Sequence, residues 1–257
     1  GSTEWVEKHR KALIKKAVVY LNTDGNGRGF VGIGGSHTLE PFFNQLINTI
    51  VDPQTGVSVG DRLRAYKSVN GNENQRKELT TRKDLRIWPL GSGSDFTPFL
   101  QHAGIASANM GFGGESNNGS YHTLYDTYEN FTRFIDPDFR YGKALADLAG
   151  TATLRLANAE VLPFRFSSLA ETLALYLKEL QDLTVKQRTD AGRTNKLLAN
   201  GSFSLALDPQ KSLLPPKVKK PVPHFNFAPL KNALDQLIQT ATLLDEKLDR
   251  GEIDLKQ

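Results

Sequence analysis

Apolar positions along the first 160 residues repeat at two different periods. Trp5, Ala12, Leu13 and Ala17 share one face of a charged segment that predicts a helix. Ser2 or Thr3 can cap it, and Glu4 and Glu7 suit its positive end. Val18-Val19-Tyr20-Leu21 then reads as a buried strand, four apolar or aromatic residues in a row. Leu39, Phe42, Phe43, Leu46, Ile47 and Ile50 return to helical spacing, predicting an amphipathic helix over 36–51 stopped by Asp52-Pro53. Residues 52–86 are polar and read as a short helix near 61–66 within an exposed loop. Gly91-Ser92-Gly93-Ser94-Asp95 leads into a helix ending near His102, and residues 105–112 form a strand candidate. A glycine- and asparagine-rich loop spans 113–127. After Asp136-Pro137, Leu145, Leu148, Ala152 and Leu156 place one apolar face on a helix running to about Ala159.

Strand, loop and helix alternate through this region, which argues for an α/β layered fold. Near residue 165 the composition changes. Helical segments over 168–183 and 230–248 flank a proline-rich, basic connector at 213–223. The expected organisation is an α/β domain over 1–165 and a helical domain over 166–257. Leu230, Leu234, Leu237 and Leu244 give the last helix an apolar stripe, suited to dimerisation or to packing on its own α/β domain.

Composition narrows the chemistry. The 257 residues are 39% hydrophobic and 23% charged, with 32 basic and 28 acidic residues and a net charge of +4. That balance fits a solvated surface, and without a dense basic stripe interleaved with aromatics no nucleic-acid partner is expected. There are no cysteines, so a disulfide, a thiolate metal site and a cysteine nucleophile are excluded. Any transition-metal site must use His, Asp or Glu. No apolar run approaches the roughly 20 residues needed to cross a bilayer as a helix.

Two residues stand out as candidates. Asp24 follows the first strand, where open α/β sheets place their chemistry, though an aspartate there also caps turns. His122 lies in the glycine-rich loop beside Tyr121, whereas His9, His37, His102 and His224 read as surface or core histidines. Residues 25–29 are glycine-rich but lack dinucleotide spacing and a following Gly-Lys-Ser/Thr, which argues against a phosphate cradle.

Several segments together carry a more specific signal. They are Gly1-Ser2-Thr3-Glu4-Trp5, Tyr20-Leu21-Asn22-Thr23-Asp24, Leu90-Gly91-Ser92-Gly93-Ser94-Asp95-Phe96, Gly104-Ile105-Ala106-Ser107 and Tyr121-His122-Thr123-Leu124-Tyr125-Asp126-Thr127-Tyr128-Glu129, followed by Val161-Leu162-Pro163-Phe164. In this order the chain resembles the co-catalytic di-zinc exopeptidases, in the branch of glutamate carboxypeptidase II and the transferrin receptor, as a bacterial-type member. The resemblance covers 1 to about 165. The remainder is similar, more loosely, to the family's helical dimerisation domain, which implies a homodimer.

The resemblance implies a mixed-sheet zinc peptidase domain that hydrolyses a peptide or dipeptide with water activated by two zinc ions. Asp24 would be a carboxylate ligand and His122 the imidazole ligand of one zinc. Tyr121 would stabilise the oxyanion, and Gly93 and Ser94 would contact substrate. Asp126 would either orient His122 or cap the turn after the loop. Glu4 and Glu7 would either help bind calcium or serve as helix N-terminal acids. Family resemblance also implies an extracytoplasmic location.

The family's first histidine, bridging aspartate, glutamate ligand and glutamate base would all precede Gly1. This chain alone is therefore expected to be a C-terminal part of the domain, inactive without that N-terminal part. Arginines that read acidic groups in glutamate carboxypeptidase II correspond here to Asn109, Gly111 and Gly34, with Arg28 the only basic residue near the last. A broader dipeptidase or aminopeptidase preference is expected. The alternative is a non-catalytic, transferrin receptor-like binding protein, which the retained Asp24 and His122 argue against.

Overall fold

The computed structural model describes residues 1–116, 119–211 and 214–252; Asn117, Asn118, Leu213 and the last residues of the expected helical domain lie outside them. Two compact units are present, Gly1–Leu169 and Ala170–Gly251.

The first unit is a mixed α/β structure built on three strands. These are β1 (Val19–Asn22), β2 (Gly29–Gly35) and β3 (Ala106–Gly114) in the order β1-β3-β2. β1 runs parallel to β3, and β2 antiparallel to it. β1 is only partly buried until Asn22, against the expectation of a buried strand. β2 was not foreseen, because four of its seven residues are glycine and the strand period is carried only by Val31 and Ile33. Val31, Ile33, Ala108, Met110 and Phe112 alternate onto the core face. Their neighbours Gly32, Gly34, Asn109, Gly111 and Gly113 fall on the other face.

Helices complete the core. The first, α1 (Ser2–Lys16), takes Gly1 as its N-cap residue, so neither Ser2 nor Thr3 caps it. The expected helix over 36–51 is a single 3-10 turn, His37–Leu39, followed by α2 (Glu40–Ile47). It stops early because Val51 pairs with Ser58 and Asp52 accepts the N–H groups of Gln54 and Thr55. The polar stretch holds the expected short helix near 61–66 as the longer α3 (Val59–Asn70), and a second helix, α4 (Glu73–Thr81), where loop was expected. Ser58 caps the first, and Asn72 with Gln75 forms a reciprocal capping box on the second, so caps rather than an apolar stripe define them. Pro98–His102 is one π-helical turn. After the loop come a short turn of helix, α5 (Tyr128–Asn130), and α6 (Arg140–Ala157). Asp136 starts α6 by accepting the N–H groups of Tyr141 and Gly142 at 3.0 and 2.9 Å. Leu148 and Ala152 are buried on the predicted face.

Buried polar groups hold the return segment before the second glycine loop. Glu40 is fully buried, pairs with Arg82 at 2.6 Å and accepts the N–H of Ile87 at 2.9 Å. Asn44 bonds both backbone groups of Leu85. Trp88 is thereby laid against the free edge of β2, with its N–H on Ile33 and its carbonyl accepting from Gly35.

The second unit comprises the rest of α7 (Phe166–Ala199), which extends well past the expected end near residue 183, then α8 (Ser202–Ala206) and α9 (Ala228–Asp249). The connector is pinned to α7 by Asn195, which exchanges two hydrogen bonds with Lys219, and by Arg188 on the Pro223 carbonyl. Leu177 and Leu234 are buried, while Leu173, Leu180, Leu183, Leu230, Leu243 and Leu244 stay exposed.

Candidate functional site

The sheet register builds the site. Asn22 on β1 lies opposite Asn109 on β3, and Asn109 opposite Gly34 on β2, so the three form one row across the outer face. Asn22 is only 5% exposed and its amide is fully used. It donates to Asn109 Oδ1 at 3.0 Å and to Ser94 Oγ at 3.2 Å, and its own oxygen accepts from the Tyr20 hydroxyl. Ser94 in turn donates to the carboxylate of Asp24, which lies just past the end of β1. A buried amide therefore fixes the hydroxyl that fixes the carboxylate. The Tyr20 phenol is pushed up by burial and by the negative charges of Asp95 and Asp24. Nothing in periodicity marks Asn22; the only hint is a polar residue closing an apolar strand.

Ser94 comes from the second glycine loop, where Gly93 has φ of +105°, a conformation that favours glycine. The structure thus joins Asp24 and Ser94, which are 70 residues apart in the chain.

His122 sits in the other loop with φ of +59°, in the left-handed region that side chains with a Cβ seldom occupy. Its ring stacks on that of Tyr121 with centroids 3.8 Å apart, and Tyr121 is 77% exposed. The turn is secured from below: Ser120 is buried and its carbonyl accepts both the N–H and the hydroxyl of Thr123. Backbone strain at an exposed histidine fits a side chain presented to something outside the loop. The Asp126 carboxylate makes no hydrogen bond to His122; its N–H donates to the Thr123 carbonyl. Glu4 and Glu7 are exposed, one turn apart on α1, and Glu4 accepts from the Gly1 amine at 2.7 Å.

Asp24 and His122 offer an oxygen and an imidazole donor, the types that suit zinc. Among the described residues no three His, Asp or Glu side chains converge. The donor chemistry of Asp24 and of His122 fits a metal ligand.

From Asp24 a cleft of about 680 Å³ extends over the glycine face of β2 and β3 to α3 and α4. Gly34, Asn109 and Gly111, the three positions at which arginines were expected in an acid-reading relative, all line it.

The fold and the site define an α/β domain presenting a carboxylate at a strand end beside an open cleft. No family model matches the chain. It is 36% identical over 187 residues to a probable glutamate carboxypeptidase, VP8, of Zea mays, covering 72% of this chain and 24% of that protein. It is 32% identical over 185 residues to a probable glutamate carboxypeptidase, LAMP1, of Arabidopsis thaliana, covering 71% and 25%. With the aminopeptidase NAALADL1 of Rattus norvegicus the identity is 26% over 197 residues, covering 71% and 25%. The chain belongs to the glutamate carboxypeptidase II-like family. It spans about a quarter of the length of these relatives. Their peptidase names do not favour the transferrin receptor-like alternative.

Proposed function

We propose that this chain contributes one side of the active site of a zinc-dependent exopeptidase, with Asp24 and His122 as ligands of one zinc in a pair. The observation that carries this reading is the held carboxylate: Ser94 bonds Asp24 at the end of β1, in a chain whose relatives are named as carboxypeptidases and aminopeptidases. A zinc pair of this kind would acidify a water and polarise the scissile carbonyl. The chain's own residues have positional tasks. Asn22 and Ser94 keep the Asp24 carboxylate in one orientation. Tyr121, stacked on His122, would donate its hydroxyl to the oxyanion of the tetrahedral intermediate. The backbone at Gly93 would guide the substrate past that point.

Further ligands and the general base would be supplied by another part of a longer protein. The 257-residue chain, supplied with zinc, should therefore hydrolyse no peptide above the rate of buffer. An assay across N-acetyl dipeptides and free dipeptides checks this. Zinc-dependent hydrolysis by the chain itself, lost in His122→Ala, would overturn it.

The helical unit is proposed to dimerise, because exposed leucines on α7 and α9 exceed those buried. Light scattering should give twice the monomer mass for the full-length protein. Leu180→Glu with Leu183→Glu should return it to monomer without loss of helix content.

A further inference from the structure

Resting on the peptidase reading above, we infer that the cleft beside Asp24 receives an uncharged aromatic or large apolar side chain of the peptide substrate. The floor of the cleft holds glycines that packing does not require. A Cβ on Gly111 would strike the Gly25 carbonyl, so that glycine is demanded by its neighbour, and one on Gly34 would sit tightly at 3.0 Å from Leu90. Gly32 and Gly113 are different. A Cβ on Gly32 would meet Trp88 at an ordinary 3.5 Å, and one on Gly113 would meet nothing within 4 Å. Glycine within a strand weakens it, and where no neighbour explains it the open space suits a ligand.

The walls match such an occupant. Trp88 is 60% exposed yet faces this floor, and Phe30 packs on Tyr66 with ring centroids 4.1 Å apart. Leu90 also lines the space. The ionisable groups at the ends are Asp24 and Lys67. Asp24 would repel an acidic side chain, and burial, only partly offset by Glu78 and Glu40, holds Lys67 below its ordinary value and so weakens its charge. A flat ring laid on the glycine floor would cover Trp88 and bring no new charge into the cleft. The volume lies within the usual range of ligand clefts, roughly 300–1,000 Å³.

Only Trp5 and Trp88 emit as tryptophan, so Trp5→Phe isolates the signal of the cleft. The zinc-free 257-residue chain would be titrated with N-acetyl-Phe-Ala-amide, N-acetyl-Leu-Ala-amide and N-acetyl-Glu-Ala-amide. The Phe and Leu peptides should give saturable Trp88 changes at least about tenfold tighter than the Glu peptide, as for specificity set by an apolar pocket. Gly32→Val should weaken the Phe peptide at least about tenfold with circular dichroism unchanged, and Gly113→Val serves if Gly32→Val does not fold. Equal or tighter binding of the Glu peptide, above all if lost in Lys67→Met, would overturn the inference. So would an affinity untouched by filling the floor, or no saturable change at all. Because the readout needs neither zinc nor turnover, failure of the peptidase reading would show separately, as an intact cleft in a longer protein that hydrolyses nothing.

Discussion

Asp24→Asn and His122→Ala are each expected to lower peptide hydrolysis by on the order of a thousandfold, about 4 kcal/mol of barrier. The substitutions are to be made in a protein carrying this chain together with the rest of its relatives' length. Asparagine keeps the shape at position 24 and still accepts from Ser94, but it removes the negative charge a metal ion needs. Alanine at position 122 removes the imidazole and relieves none of the backbone turn, which Ser120 and Thr123 hold. Both variants should therefore fold with wild-type circular dichroism while kcat/KM collapses. Ser94→Ala should fall between, roughly 10- to 100-fold down, because it orients the carboxylate without replacing it. A full set of kcat and KM values separates lost chemistry from lost binding.

Arg62→Met is expected to cost about 3–5 kcal/mol of folding stability, the usual penalty for stranding a buried charge. Arg62 reaches from α3 to the Gly29 carbonyl, to Asp52 at 2.9 Å, and to the Tyr141 hydroxyl and Glu115. Its guanidinium also lies 4.7 Å from the centre of the Phe30 ring. The side chain of Asp52 is 1% exposed, so without Arg62 its charge has no solvent to turn to. Burial works to raise the Asp52 carboxyl, but Arg62 and Thr55 outweigh it and hold the group below its ordinary 3.8. Its folded value thus lies under its unfolded one. The contribution is complete above about pH 4 and is lost as pH falls through the folded value. Tyr141, pushed up to about 12 mainly by burial and then by Asp52, stays protonated in the same cluster. Urea melts at pH 7 should show the loss. Asp52→Asn with Arg62→Met should recover part of it and flatten the acid limb.

Sequence carried the helices with a wide apolar stripe and the strands with branched or aromatic runs. Phe42, Phe43, Leu46 and Ile47 did face the core, and Leu148 and Ala152 did fix α6. What escaped was structure made by backbone partners instead of apolar period. β2 is hidden by its glycines, which exist for close approach and for the cleft. The full length of α3, beyond the short helix expected near 61–66, and all of α4 are hidden because their starts are set by Ser58 and Asn72 side chains. At the site, motif order pointed to Asp24, Ser94 and His122. The Asn22–Asn109–Gly34 row needed the register, since a strand pairing between residues 87 positions apart leaves no mark in local sequence.

Zinc content tests the central claim most directly. Elemental analysis of the longer protein, after exhaustive dialysis, should give two zinc ions per wild-type polypeptide and at most one in His122→Ala, with activity lost alongside. Two zinc ions and full hydrolysis retained in both Asp24→Asn and His122→Ala would contradict the assignment of these residues as ligands.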